Sequence, residues 1–268
     1  MAFVEHNCQG IVYLTSDLVQ AAHAFTTRYG GVSEGIFSSL NLAVDRGDRY
    51  ENVLENYRRI LTILSLNEEN TVLSRQVHKA CVKCVTDMDK GCGLFRERNY
   101  EADGLITDQA GIALVVFAAD CVPILLEDTF TGAVAAVHSG WRGTVQNIVG
   151  NAVRKMKEKF DTKAENINAA IGPCISSCCY EVGKDVHDGI SSLGDNFFKY
   201  LKPCGDEKWM ADLKGVNREL LINAGLSDCN IDVCPQCTFC SSNKFWSHRA
   251  TNGRRGSQAA IISVRVND

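Results

Sequence analysis

Two rhythms of hydrophobic and polar residues run along this chain. Ile112–Ala118 (IALVVFA) is an unbroken apolar run of strand length that leads directly into Asp120 and Cys121. Ala133–Val137 (AVAAV) is a second such run, and it ends on His138. Thr71–Leu73 and Cys81–Thr86 are shorter strand candidates, and Ala259–Val266 reads as a closing strand. The other rhythm is helical. Within Glu51–Leu66, the residues Val53, Tyr57, Ile60, Leu61 and Leu64 recur on one face. Val145–Phe160 does the same with Val145, Ile148, Val149, Ala152, Val153 and Met156. Thr26–Leu42 (TTRYGGVSEGIFSSLNL) follows neither rhythm. Its Gly, Ser and Asn content predicts a long irregular loop, a kind of segment that often carries function when ordered. Strands and helices mix without strict alternation, which predicts an α+β protein with layered, mixed sheets. There is no repeat, low-complexity tract or Pro/Ser-rich linker, so residues 1–268 are expected to form a single domain.

Composition narrows the function. A formal net charge of -4 and a pI near 5.9 leave no dominant basic stripe for nucleic acid. The apolar runs fall short of a membrane span. MAFVEHNCQG has neither the basic nor the apolar region of a signal peptide, and the 13 cysteines are an odd number. Together these predict a cytoplasmic protein whose cysteines serve as thiols, packed residues or metal ligands. The oligomeric state is left open.

Cys121 and His138 each follow an apolar strand, where mixed sheets gather side chains around a cleft. With His78 in Arg75-Gln76-Val77-His78, they make a set of two imidazoles and one thiolate. Three such ligands leave one position of a tetrahedral zinc open, and an open position allows the metal to activate water near neutral pH. Soft ligands of this kind also accept copper. After His138 the chain reads Ser139-Gly140-Trp141-Arg142-Gly143 and enters a helix, so Arg142 and the N–H groups around Gly143 and Thr144 are candidates for an anion seat. Each residue also has a plain structural reading: a packed thiol, a surface imidazole, a capped turn. Residue types alone leave that choice open.

Ordered motifs over nearly the whole chain add a resemblance. They include Gly30-Gly31-Val32-Ser33, Ser39-Leu40-Asn41-Leu42, Glu55-Asn56, Arg75-Gln76-Val77-His78, Ala102-Asp103-Gly104-Leu105 and Ala119-Asp120-Cys121-Val122-Pro123. They continue through His138-Ser139-Gly140-Trp141-Arg142-Gly143, Ile171-Gly172-Pro173, Cys179-Tyr180-Glu181-Val182-Gly183 and Cys237-Thr238. On these the chain resembles the laccase-domain purine nucleoside phosphorylases, once called multicopper polyphenol oxidases. The resemblance implies a four-layer α/β/β/α sandwich and a metal on His78, Cys121 and His138. It also implies phosphorolysis of adenosine, inosine and 5′-methylthioadenosine, and deamination of adenosine. The implied partners are therefore purine nucleosides and phosphate. Two positions depart from the usual pattern. Tyr57 stands where many relatives have Arg, and Arg255-Gly256-Ser257 replaces Thr-Gly-Arg. Arg58, Arg254 and Arg255 are the residues available to substitute in holding phosphate. Asn41 and Gln76 are candidate substrate contacts, through a ribose hydroxyl and a purine edge, with turn formation and backbone pairing as their plain roles. Asp120 is placed either to orient a metal ligand or to cap its turn.

Cysteine clusters occur elsewhere. Cys81 and Cys84 lie in a strand pattern that points them to opposite faces, so they are not expected to chelate. Cys234, Cys237 and Cys240 are expected mainly as packed or free thiols, because a structural zinc needs a second converging pair. Cys174, Cys178 and Cys179 form a third group. Three rival functions follow: a copper-dependent polyphenol oxidase, a metal-free hydrolase with Cys121 as nucleophile and His138 as base, and a binding module with a structural zinc. Six histidines in all weigh against a full multicopper cluster.

Overall fold

The computed structural model describes residues 3–265. Two six-stranded mixed sheets stack face to face. The first holds β1 (Phe3–Cys8), β2 (Ile11–Ser16), β3 (Ala22–Thr26), β4 (Thr71–Leu73), β7 (Ala113–Ala118) and β15 (Gln258–Ser263), in the spatial order β1-β2-β3-β15-β7-β4. The second holds β5 (Val82–Cys84), β6 (Gly104–Thr107), β8 (Val122–Asp128), β9 (Val134–Ser139), β10 (Ile167–Ile171) and β14 (Ile231–Val233), in the order β14-β10-β8-β9-β6-β5. A small third sheet joins β11 (Glu181–Val182), β12 (Leu201–Gly205) and β13 (Lys208–Ala211). The helices are α1 (Tyr50–Ile63), α2 (Trp141–Val145), α3 (Ile148–Phe160), α4 (Lys184–Ser191), α5 (Leu213–Asn223) and α6 (His248–Thr251). Among the described residues no helix is long and apolar enough to cross a membrane.

The period-2 pattern explains the layering. In β7, Ala113 and Val115 pack toward Val53, Tyr57, Ile60 and Leu61 of α1, while Leu114 and Val116 face the second sheet. β15 repeats this, with Ala259 and Ile261 outward and Ala260 and Ile262 inward. On the second sheet, Leu125, Val134 and Ala136 face the first sheet. Ile124, Leu126, Ala135 and Val137 meet α3 and α5 on the other side. Three cores therefore separate helix, sheet, sheet and helix, as an α/β/β/α sandwich requires. A fully buried leucine or valine contributes roughly 1.5–3 kcal/mol, so the doubly buried strands β7, β8, β9 and β15 dominate stability.

Most of the strands and helices read from periodicity form, with shifted ends. The expected Val145–Phe160 helix is split. Asn147 sits in the left-handed conformation (φ 55°) and its side chain accepts the N–H of Gly150, so one short helix ends and α3 begins with its own cap. The last strand runs Gln258–Ser263, and Val266 of the expected strand lies outside the described residues. The Gly/Ser/Asn-rich segment is irregular, as expected, apart from one short 3-10 turn at Gly35–Phe37.

Asn56 holds that loop in place. It is fully buried on α1, accepts the N–H of Val32, and donates to Ser33 Oγ and to the carbonyl of Asn41. Asn56→Ala would strand these groups inside the protein. The expected outcome is a loss of about 1–3 kcal/mol, measured as a lower urea midpoint with an unchanged slope.

Candidate metal centre

Topology brings the site residues to one end of the sandwich. The chain crosses from the first sheet to the second twice, between β4 and β5 through His78, and between β7 and β8 through Cys121. β4 and β7 are parallel, so both crossings leave the first sheet at the same end. β5 runs parallel to β6, and β9 runs antiparallel to both β6 and β8. The starts of β5, β6 and β8 and the end of β9 therefore share that end, which places His138 there too.

The three side chains converge. Their ligand atoms lie within 4.8 Å of one another, and the two imidazole rings meet edge to face with centroids 4.8 Å apart. His138 is buried, Cys121 is half-buried and His78 faces solvent. Asp103, just before β6, sets this geometry. It is fully buried, and its carboxylate accepts the N–H groups of Val77, His78 and Lys79 at 3.0–3.1 Å. The same carboxylate accepts a hydrogen bond from His138 Nδ1 at 2.8 Å. An ionised carboxylate only accepts, so Nδ1 carries the proton and Nε2 is directed to the cluster. Burial would raise the pKa of Asp103, but His138 and the loop N–H groups outweigh it and hold the carboxyl below its ordinary value. Burial likewise opposes a charge on His138, yet the Cys121 sulfur and Asp103 raise its pKa to about 9. A cation at the cluster would take the place of the proton on His138 Nε2.

The donor set fits a transition metal on a further ground. Gly140 has an ordinary extended backbone (φ -71°, ψ 167°), so its conformation does not demand glycine. Space does. A Cβ there would stand 2.8 Å from His78 Nδ1 and 3.2 Å from Cys121 Sγ. The missing side chain leaves room beside the ligands.

The cluster opens into a cleft of about 390 Å³, with Trp141 and Tyr180 among its walls and Arg46, Arg142, Arg249 and Arg255 around it. Arg255 is buried. It donates to Gly256 O and Ser257 Oγ, while its Nε has no partner. Burial and the neighbouring Arg46 lower its pKa to about 10, so it remains charged at neutral pH.

Residues 22–265 match the family described as multi-copper polyphenol oxidoreductase laccase. The chain belongs to this family. It is 36% identical over 248 residues to the purine nucleoside phosphorylase YlmD of Geobacillus stearothermophilus, covering 91% of this chain and 90% of that protein. It is 32% identical to the adenosine deaminase RL5 of an unknown prokaryotic organism, over 86% of this chain and 89% of that one. The crystal structure of the hypothetical protein YfiH from Bacillus licheniformis superposes with a TM-score of 0.93 at 32% identity, covering 98% and 99% of the two chains.

Within this family member, the other sequence-predicted residues divide. Arg142 reaches the cleft and stacks on Trp141 with its guanidinium 4.3 Å from the ring centroid. Arg58 does not; it pairs with Glu68 on the exposed side of α1. Asn41 is fully buried and bonded to Ala43, Asp48 and Ser257. Gln76 borders the metal cluster, but both ends of its amide bind the peptide groups of Phe117. The N–H of Thr144 is bonded to Gly140 O and is not free for an anion. Asp120, at φ 83°, touches no metal ligand through its side chain. It accepts from Thr238 Oγ1, Ser247 Oγ and the N–H of Arg249. Several residues at the site carry no role from sequence, among them Trp141, Tyr180 and Arg249 on the cleft, and Asp103 and Arg46 beside the cluster. Asp103 lay inside the Ala-Asp-Gly-Leu motif, where a carboxylate at the start of an apolar strand was the available signal. Arg46 lies in a polar loop directly before Gly47-Asp48, a pair that belongs to the family resemblance, but nothing singles out the arginine itself.

Asp103→Asn should weaken metal binding about 10–100-fold, because an amide presents N–H groups where four donors already point. Competition with a chromogenic chelator measures this. Unchanged affinity would remove Asp103 from the centre.

Proposed function

We propose that this chain processes purine nucleosides in the Arg-lined cleft, using one transition metal, zinc by preference and copper as the alternative, held by His78, Cys121 and His138. The observation that carries this reading is the meeting of a two-histidine, one-cysteine cluster with a buried arginine whose Nε has no protein partner. The names of the relatives, phosphorylase and deaminase, support the same substrate class. The reactions proposed are phosphorolysis of adenosine, inosine and 5′-methylthioadenosine to free base and the (methylthio)ribose 1-phosphate, and deamination of adenosine to inosine.

A bound zinc supplies Lewis acidity at neutral pH, the chemistry that deamination at C6 of a purine needs. The chain's own residues do the rest. Trp141 and Tyr180 offer aromatic walls to a planar base. Arg255, Arg46 and Arg142 form the phosphate seat, in place of the helix N-terminus and Arg58. A planar guanidinium holds a phosphate through paired N–H bonds. Asp103 keeps the proton of His138 on Nδ1 and so fixes the ring.

The polyphenol oxidase reading draws on the family's description and on the affinity of His₂Cys sites for copper. Against it, among the described residues only one potential metal-binding cluster contains histidine. His6 bonds Thr15, His23 bonds Ser16 and Ala21, and His187 lies beside Asp188, so these are not gathered for dioxygen chemistry.

Anaerobic incubation with adenosine, followed by chromatography, tests the reading. Inosine is expected without dioxygen, and added phosphate should yield adenine and ribose 1-phosphate as well. Cys121→Ala should lose the metal of the His78, Cys121 and His138 centre and both products together. Oxygen uptake with a phenol, and no purine product under these conditions, would reverse the ranking in favour of the oxidase.

The phosphate seat has its own test. Arg46→Ala and Arg142→Ala should each lower phosphorolysis about tenfold, about 1.4 kcal/mol, and leave deamination nearly unchanged. Equal losses in both reactions would assign these arginines to the purine or to the fold.

A further inference from the structure

A second cysteine cluster lies outside the cleft. Cys178 and Cys179 belong to the turn after β10, and Cys237 and Cys240 to the turn after β14. β10 and β14 are parallel neighbours, so their following loops leave the sheet side by side, and Cys174 pairs with Cys237 across the gap. The sulfurs of Cys178, Cys179, Cys237 and Cys240 lie within 4.8 Å of one another. Cys240 Sγ is 3.6 Å from Cys178 Sγ and 3.3 Å from Cys179 Sγ. The second converging pair, which neither motif revealed alone, is therefore present.

We propose that these four cysteines form a second, structural zinc site of the Cys₄ type. A tetrahedral zinc with Zn–S bonds of about 2.3 Å spaces its sulfurs ~3.8 Å apart, and the observed separations need only small side-chain adjustments to reach this. The backbone is already arranged for thiolate. The N–H of Ser176 donates to Cys237 Sγ at 3.4 Å, and the backbone N–H groups of the Cys237 turn and of Ser176 outweigh burial and lower the pKa of this thiol to about 7. Donors from the second and third residues beyond a cysteine make a turn that cradles sulfur and stabilises its negative charge. All 13 cysteines of the chain are free, so no disulfide competes for these four.

The site would brace the cleft from behind. Thr238, next to Cys237, donates to Asp120 Oδ1 at 2.6 Å, and Ile175 N–H donates to Asp120 O at 3.1 Å. Ile175 and Tyr180, on either side of the cysteine turn, line the cleft. Zinc release from this cluster is expected to loosen these walls and, through Asp120, the backbone beside Cys121, without removing the metal held by His78, Cys121 and His138.

Metal counting on protein made with zinc and purified under reducing conditions tests the proposal. Wild type should carry two zinc ions per chain. Cys121→Ala should keep one, and the Cys178→Ser, Cys240→Ser double variant should also keep one, retained at the other site. The double variant could fail to fold, so the Cys121→Ala protein, with its four-cysteine cluster intact, is also loaded with cobalt alone. It should show the strong thiolate-to-cobalt charge-transfer absorption and the visible bands of a tetrahedral sulfur site. A Cys121→Ala protein that binds neither zinc nor cobalt with thiolate absorption overturns the proposal. So does non-reducing peptide mass spectrometry that finds Cys179 joined to Cys240 in the protein as purified.

Discussion

One buried carboxylate organises the site. Asp103 receives four hydrogen bonds, three from the N–H groups of Val77, His78 and Lys79 and one from His138. Hydrogen bonds to a charged group contribute about 1.5–3 kcal/mol each, and here they offset the cost of taking the carboxylate out of water. They also set geometry. His78 has φ 59°, a left-handed conformation uncommon for a residue with a side chain, and the loop holds it because three successive N–H groups share one acceptor. One side chain thus presents both imidazoles, His78 through its backbone and His138 through its ring. Glu at this position would carry an extra methylene into a space with no exposure.

The sheet topology explains why such distant residues meet. Residues 78, 121 and 138 share no local pattern, yet two crossings between sheets and the end of one strand converge at the same end. The apolar strands leading to Cys121 and His138 were legible because their side chains are buried on both faces and leave continuous runs in the sequence. The helical faces of α1 and α3 were legible for the matching reason, since each packs one stripe on a sheet. β1 and β2 were not, because half of β1 is exposed, half of β2 is only partly buried, and the apolar runs are weak. The third sheet was missed as well. Its strands are two to five residues long, and most of their residues are exposed or only partly buried. The break between α2 and α3 rests on the left-handed backbone of Asn147, which no apolar periodicity encodes.

Charge around the cleft was legible in part. Arg142 follows the ligand His138 by only four positions, so the motif itself drew attention to it. Arg255 was one of three substitutes considered, and burial separates it from Arg58 and Arg254. Arg58 spends its charge on Glu68 at the surface, whereas Arg255 and Arg46 face the metal cluster from loops far apart in sequence. Burial first, and the neighbouring Arg46 second, hold the pKa of Arg255 below its ordinary value. An anionic substrate supplies the opposite charge. A neutral phenol carries no charge to pair with these guanidinium groups.

Asp120 connects the two cysteine-bearing regions. The sequence left it either to orient a metal ligand or to cap its turn, and its side chain makes no hydrogen bond to Cys121. It holds the loop of Thr238 and the start of α6 instead. It sits at φ 83° in the turn between β7 and β8, with Cys121 toward His138 and Asp120 toward Thr238 beside the second cluster. A carboxylate bonded to three donors is a stiff joint, because moving any one loop breaks a charge-assisted bond. Motion of the 174–180 and 234–240 loops is therefore transmitted to the backbone that carries Cys121. Fixing those loops steadies Cys121, so the placement of the His78, Cys121 and His138 cluster depends on contacts well outside it.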